Sequence, residues 1–135
     1  LPEVQVALSR ITQGGFADGV IRMLILLAHA RDSVRRSRLE RSNRILHSYE
    51  PFKSLSEQER GHIIRDQSLI VDFEPERALG TLPDLIADAA ERRRALDIVE
   101  EVAGPRAEMD GATTDMLTRI IAVMKVGPSA VEAAE

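Results

Sequence analysis

An all-α fold, a compact orthogonal bundle of about six to eight helices, is what this sequence predicts. Apolar residues recur at the three- and four-residue spacing of a helix over most of the chain. No stretch of four or more residues alternates convincingly with the period of a strand. Only 3% of residues are aromatic, which leaves Leu, Ile, Val, Met and Ala to build the core. Aliphatic cores with many Arg and Glu suit helices, because straight-chain residues lose little rotamer freedom there, whereas sheets draw on aromatic and β-branched residues. At 135 residues, one core fits and two would be cramped. The expectation is a single helical domain over 1–127 and a loose tail over 128–135.

The elements follow in order. Pro2 to Gln13 reads as a first helix with Val4, Ala7, Leu8 and Ile11 on one side, stopped by Gly14-Gly15. Phe16 to Ala30 is apolar nearly all round and interrupted by Arg22, so it is the expected central helix. Its apolar run, Val20 to Ala30, is about half the length of a membrane span. A third helix, Val34 to Tyr49, follows a break at Asp32-Ser33 and ends at Glu50-Pro51, where proline pushes the preceding residue out of helical geometry. Ser56-Glu57-Gln58-Glu59 is a capping box that opens a fourth helix running to about Asp72. Pro75 opens a short helix that ends near Gly80, and Leu82-Pro83 opens another turn. Asp88 to Glu91 starts a helix with Ala95, Ile98, Val99 and Val102 in a stripe, stopped by Gly104-Pro105. The last helix spans about Thr113 to Val126 and closes at Gly127-Pro128. The joins at 27–45 and 102–120 can be superimposed as strings: an apolar helix end, a polar turn, a hydrophobic residue, then an acid. They read either as a duplicated helical hairpin or as two ordinary helix joins.

Composition excludes several chemistries. The chain has no cysteine, which removes disulfides, thiolate metal sites and cysteine nucleophiles. No serine lies in a Gly-x-Ser-x-Gly elbow, and Gly14-Gly15 with Gly19 do not form a phosphate loop, since no strand precedes them and no Lys-Ser or Lys-Thr follows. His29, His47 and His62 have no ligand partner at i+3 or i+4 and read as surface or core-edge residues. No catalytic residue and no cofactor are expected. Leu1-Pro2-Glu3-Val4-Gln5 has neither a basic start nor an apolar core, so no secretory leader is expected there, and the cytoplasm is the expected location. A start inside a helical pattern without an initiator Met predicts a piece of a longer chain.

The conspicuous feature is the arginine run Arg31, Arg35, Arg36, Arg38, Arg41 and Arg44. On one helix, Arg31, Arg35, Arg38 and Arg41 would form a strip able to meet an anionic partner. A net charge of −4, the absence of interleaved aromatics, and i,i+4 pairs such as Glu40–Arg44 point to a protein-facing or solvated surface and away from nucleic acid. Carboxylates at the turns could converge as a hard-cation site, with Asp32, Glu40 and Asp115 the weak candidates. No Asp-x-Asp-x-Asp-Gly loop is present, and acids near helix starts also follow from the helix dipole, so no metal is the expectation.

Several strings, Val20-Ile21-Arg22-Met23-Leu24-Ile25-Leu26, Arg38-Leu39-Glu40-Arg41-Ser42-Asn43, Phe52-Lys53-Ser54-Leu55-Ser56-Glu57 and Phe73-Glu74-Pro75-Glu76, resemble the C-terminal region of bacterial polyhydroxyalkanoate synthetase-like proteins. That region is similar to the tellurite-resistance TerB-like domain, an all-helical fold built from a repeated unit. The resemblance implies Asp-Gly at each turn with an acid at the next helix start. Asp32-Ser33 and Glu40 stand for the first set and Asp115 for the second acid, with Arg106-Ala107 where Asp-Gly would be. The resemblance also implies that any synthetase chemistry lies elsewhere in a parent chain. The expected function is therefore a non-catalytic accessory domain that makes protein contacts, with a second copy or an upstream domain as partner. Its contact surface would be the arginine-rich third helix or an exposed apolar groove. The alternative is metal or ligand sensing through the acidic turns.

Overall fold

A helix with no polar face must be covered on all sides, and the segment from Phe16 to Ala30 is such a helix. In the computed structural model, which describes residues 1–31 and 36–126, the other elements wrap around it. Among the described residues the order is α1 (Pro2–Ser9), α2 (Phe16–Ala30), α3 (Arg36–Leu46), α4 (Glu57–Phe73), α5 (Pro75–Gly80), α6 (Leu82–Leu85), α7 (Ala89–Ala103) and α8 (Gly111–Met124), with a 3-10 turn at Arg106–Glu108 and no strand. The all-α expectation is met. α2 packs on α4, α7 and α8, with α5 and α6 closing its N-terminal end; α1 lies on α4 and α3 on α7. Val20, Met23, Leu26, Phe52, Ile70, Leu96, Val99, Leu117 and Ile120 are fully buried and form the centre of one contiguous core. No helix among the described residues is long and apolar enough to cross a membrane. The expected tail lies outside the described residues.

Local sequence sets the ends. Ser56 Oγ accepts from the Glu59 amide and Glu59 Oε1 accepts from the Ser56 amide, both at 3.1 Å, which completes the capping box on α4. Asp88 accepts from the Glu91 amide at 3.0 Å and Asp110 from the Thr113 amide at 2.8 Å, capping α7 and α8. α7 stops at Gly104, whose φ of 87° lies in the region that favours glycine. Gly19 permits a close approach: a Cβ there would stand 2.8 Å from Ile86 Cδ1, so α2 could not sit as near the α6–α7 connection with a larger residue.

Several boundaries differ from the sequence reading, those at the ends of α1 and α3 among them. α1 ends at Ser9, and the chain continues to Gln13 in tight i→i+3 turns such as Arg10 N to Ala7 O. α3 ends at Leu46, and Ser48 and Tyr49 close i→i+3 turns onto Ile45 and Leu46 before the cis Glu50–Pro51 bond. Arg31 is the extended C-terminal cap of α2, with φ −76° and ψ 136°, so it does not continue into α3. The arginines expected to share one helical strip are thus divided between two elements.

Candidate functional site

The cover on α2 is incomplete. Val20, Met23 and Leu27 are buried, but Leu24 and Ile25 are only half-covered and Ala28 is exposed, on a helix whose composition calls for full burial. This open side is one wall of an apolar groove of about 300 Å³. Its floor is Ile21, Leu27, Phe52 and Val102, all buried. Its other walls come from α3, through Leu39 and Leu46, and from α4, through Arg60 and Ile64. Leu39 and Ile64 stand 52% and 50% exposed at the lip, two large aliphatic side chains facing water beside a hydrophobic trough.

The polar groups at this groove are Arg31, Ser42, Asn43, His47 and Arg60, and among the described residues no carboxylate lines it. The Arg60 guanidinium reaches the Leu55 carbonyl at 3.4 Å, a long contact for a hydrogen bond. Partial burial pushes the His47 imidazole below its ordinary pKa, and the nearby Arg60 cation adds to the effect. An Arg60→Ala variant is expected to raise the His47 pKa part of the way back, because burial, the larger cause, remains. An NMR titration of the imidazole checks this, and an unchanged midpoint would separate the two side chains.

A second cleft, about 370 Å³ and wider to solvent, lies between Arg41 and the turn after α7. Its charges answer one another: Glu100 and Glu101 line it beside Arg41 and Arg106, and Arg106 pairs with Glu100 at 3.6 Å. Tyr49 donates to Glu101 close by, and that hydrogen bond raises the tyrosine pKa. Such a cleft is electrostatically closed on itself, so the groove is the better candidate.

The sequence-derived candidates are placed as follows. Arg31 lines the groove and Arg41 lines the second cleft, on different elements. Arg35 and the side chain of Arg38 lie outside the described residues, as does Asp32. Glu40 and Asp115 are exposed, and among the described residues no three His, Asp or Glu side chains come together as a cation cage. His29 pairs with Asp72 at 2.8 Å on the surface.

Sequence reasoning missed the arginine that organises the interior. Arg22 is fully buried in α2. Its Nε donates to Gln67 Oε1 at 2.7 Å, one terminal nitrogen to Thr81 Oγ1 at 2.9 Å and the Ala78 carbonyl at 3.3 Å, and the other to the Ile11 carbonyl at 2.9 Å. Gln67 in turn donates to Asp18 at 3.4 Å, which places a carboxylate one residue away from the cation. Burial lowers the Arg22 pKa to about 10, opposed by Asp18 and Asp84, so it remains charged at neutral pH. Among the described residues no buried side-chain nitrogen or oxygen lacks a hydrogen-bond partner. Each of its three nitrogens is hydrogen-bonded, so Arg22 is a structural tie that joins α2 to the turn after α1, to α4 and to α5. Its available signal was a lone cation in the middle of an apolar helix.

Comparisons with protein-family models, with curated proteins and with solved structures return no match to this chain.

Proposed function

We propose that this chain is a non-catalytic accessory domain whose groove receives an apolar segment of a partner protein. The observation that carries the reading is the open side of α2, where Leu24, Ile25 and Ala28 face a trough whose lip holds the exposed Leu39 and Ile64. Leaving these side chains in water forfeits burial worth about 25 cal/mol per Å² of apolar surface, so a partner that covers them gains that stabilisation. The shape suits a short amphipathic helix laid into a hydrophobic groove. The chemistry at the groove supports binding: aliphatic walls, two guanidiniums, an imidazole and two small polar side chains. The resemblance to TerB-like accessory domains, carried by the strings quoted above, agrees with this reading.

The test uses a neutral amphipathic peptide with leucines at i, i+3 and i+7 and glutamine elsewhere, titrated into isotope-labelled protein. Amide shifts are expected to cluster at Leu24, Ala28, Ile64 and Val102. They should disappear in a Leu39→Gln, Ile64→Gln variant, which alters exposed positions and should keep stability within about 0.5 kcal/mol of the parent. Shifts scattered over the surface, or none at millimolar peptide, would sink the proposal.

A further inference from the structure

We infer that the partner segment is acidic: an amphipathic helix whose apolar face fills the groove and whose flanking carboxylate meets Arg60. This rests on the groove being a protein-docking site and adds the partner's charge. The protein as a whole is acidic, at −4, yet among the described residues the charged ones lining the groove are both cationic. Four surface arginines away from the groove have carboxylates of their own: Arg10 with Asp66 at 2.7 Å, Arg65 with Glu3 at 3.0 Å, Arg94 with Glu91 at 3.0 Å and Arg119 with Glu76 at 2.5 Å. At Arg60 the side-chain contact is instead a neutral carbonyl at 3.4 Å. A cation beside an apolar trough, without a carboxylate among its described contacts, is complementary to a partner that brings one.

The extent of the groove favours a helix over an alkyl chain. Its α2 wall runs from Ile21 to Arg31, about 15 Å at 1.5 Å per residue, or about three helical turns. A single acyl chain could occupy the trough, but it would leave Leu39 and Ile64 at the lip in water, whereas a helix about 10 Å wide covers both. Charge also argues against a second copy of this chain. A two-fold pair formed through this face would set Arg60 of one copy against the same cation-bearing wall of the other.

Acidic, neutral and basic versions of the same leucine-bearing peptide separate these ideas. The acidic peptide is expected to bind roughly tenfold tighter than the neutral one at low salt, and the basic peptide more weakly than either. That advantage should vanish in about 0.5 M salt, where screening acts within a few ångströms. In Arg60→Glu protein the preference should reverse, with the neutral peptide binding tighter than the acidic one when both are measured on the same variant. Equal affinity for acidic and neutral peptides would overturn the charge inference and leave the groove reading standing; failure of all three would remove both. Decanoate that binds the groove more tightly than the acidic peptide would overturn the inference in favour of an amphiphile. A concentration-dependent dimer in sedimentation that Leu39→Glu abolishes would overturn it in favour of self-association.

Discussion

Arg22→Met is expected to lower the unfolding free energy by about 3 kcal/mol, one of the two largest single-residue effects anticipated in this protein. Methionine keeps the unbranched apolar stem but removes every donor. Gln67 Oε1 and the Ile11 and Ala78 carbonyls would then lose their partner in the interior, while Thr81 still donates to the Arg77 carbonyl at 2.6 Å. Each orphaned buried acceptor costs about 1–3 kcal/mol, and relief from burying a charge offsets part of the sum. Urea unfolding measures the loss directly. Arg22→Lys serves as the control: it keeps a cation but cannot span acceptors on three elements, so it should be nearly as damaging as methionine. The double variant Arg22→Met, Gln67→Leu should recover part of the loss, because removing both partners strands fewer groups. A loss below about 1 kcal/mol for Arg22→Met would mean that the network contributes little net stability.

Much of the fold could be read from the chain because its signals are local. The capping box at Ser56, the cap at Asp88 and the stop at Gly104 each act within a few residues, and α4 begins, and α7 begins and ends, where these signals place them. The centrality of α2 was also legible, since a segment apolar on every side has no other place to go. α8 starts at Gly111, two residues before the sequence pattern places it, because the Asp110 carboxylate accepts from both the amide and the hydroxyl of Thr113. The arginines were read in one dimension. Arg22 and Arg92 form ties that depend on distant partners: Arg92 reaches the Ile86, Pro83 and Met124 carbonyls, and no spacing rule connects position 92 to position 124. The groove was anticipated only as a possibility of the class. Leu39 and Ile64 lie on different helices with the Phe52 turn between them, and only tertiary packing sets them on the two sides of one trough.

Phe52 shows how the groove and the core depend on the same atoms. The ring is fully buried, packs into the main cluster and at the same time lies under the trough. Phe52→Ala is expected to cost about 3–4 kcal/mol in chemical unfolding, toward the low side of the usual range for such truncations. The reason lies in position: the void opens into the groove, so Leu24, Leu46 and Ile64, which are not locked on every side, can relax toward it. Leu96→Ala, made in the closed centre of the core, has no such outlet and provides the comparison. The enlarged trough should also acquire affinity for a small aromatic molecule. Benzene at saturation is expected to raise the melting temperature of Phe52→Ala and leave the parent unchanged, since a ligand that binds only the folded state stabilises it by mass action. A Phe52→Ala protein as stable as the parent would place the ring outside the core. One that is destabilised but insensitive to benzene would mean that α3 and α4 close over the void and shrink the groove. In that case the same variant should also lose affinity for the leucine-bearing peptides, because the floor that receives their side chains would have moved.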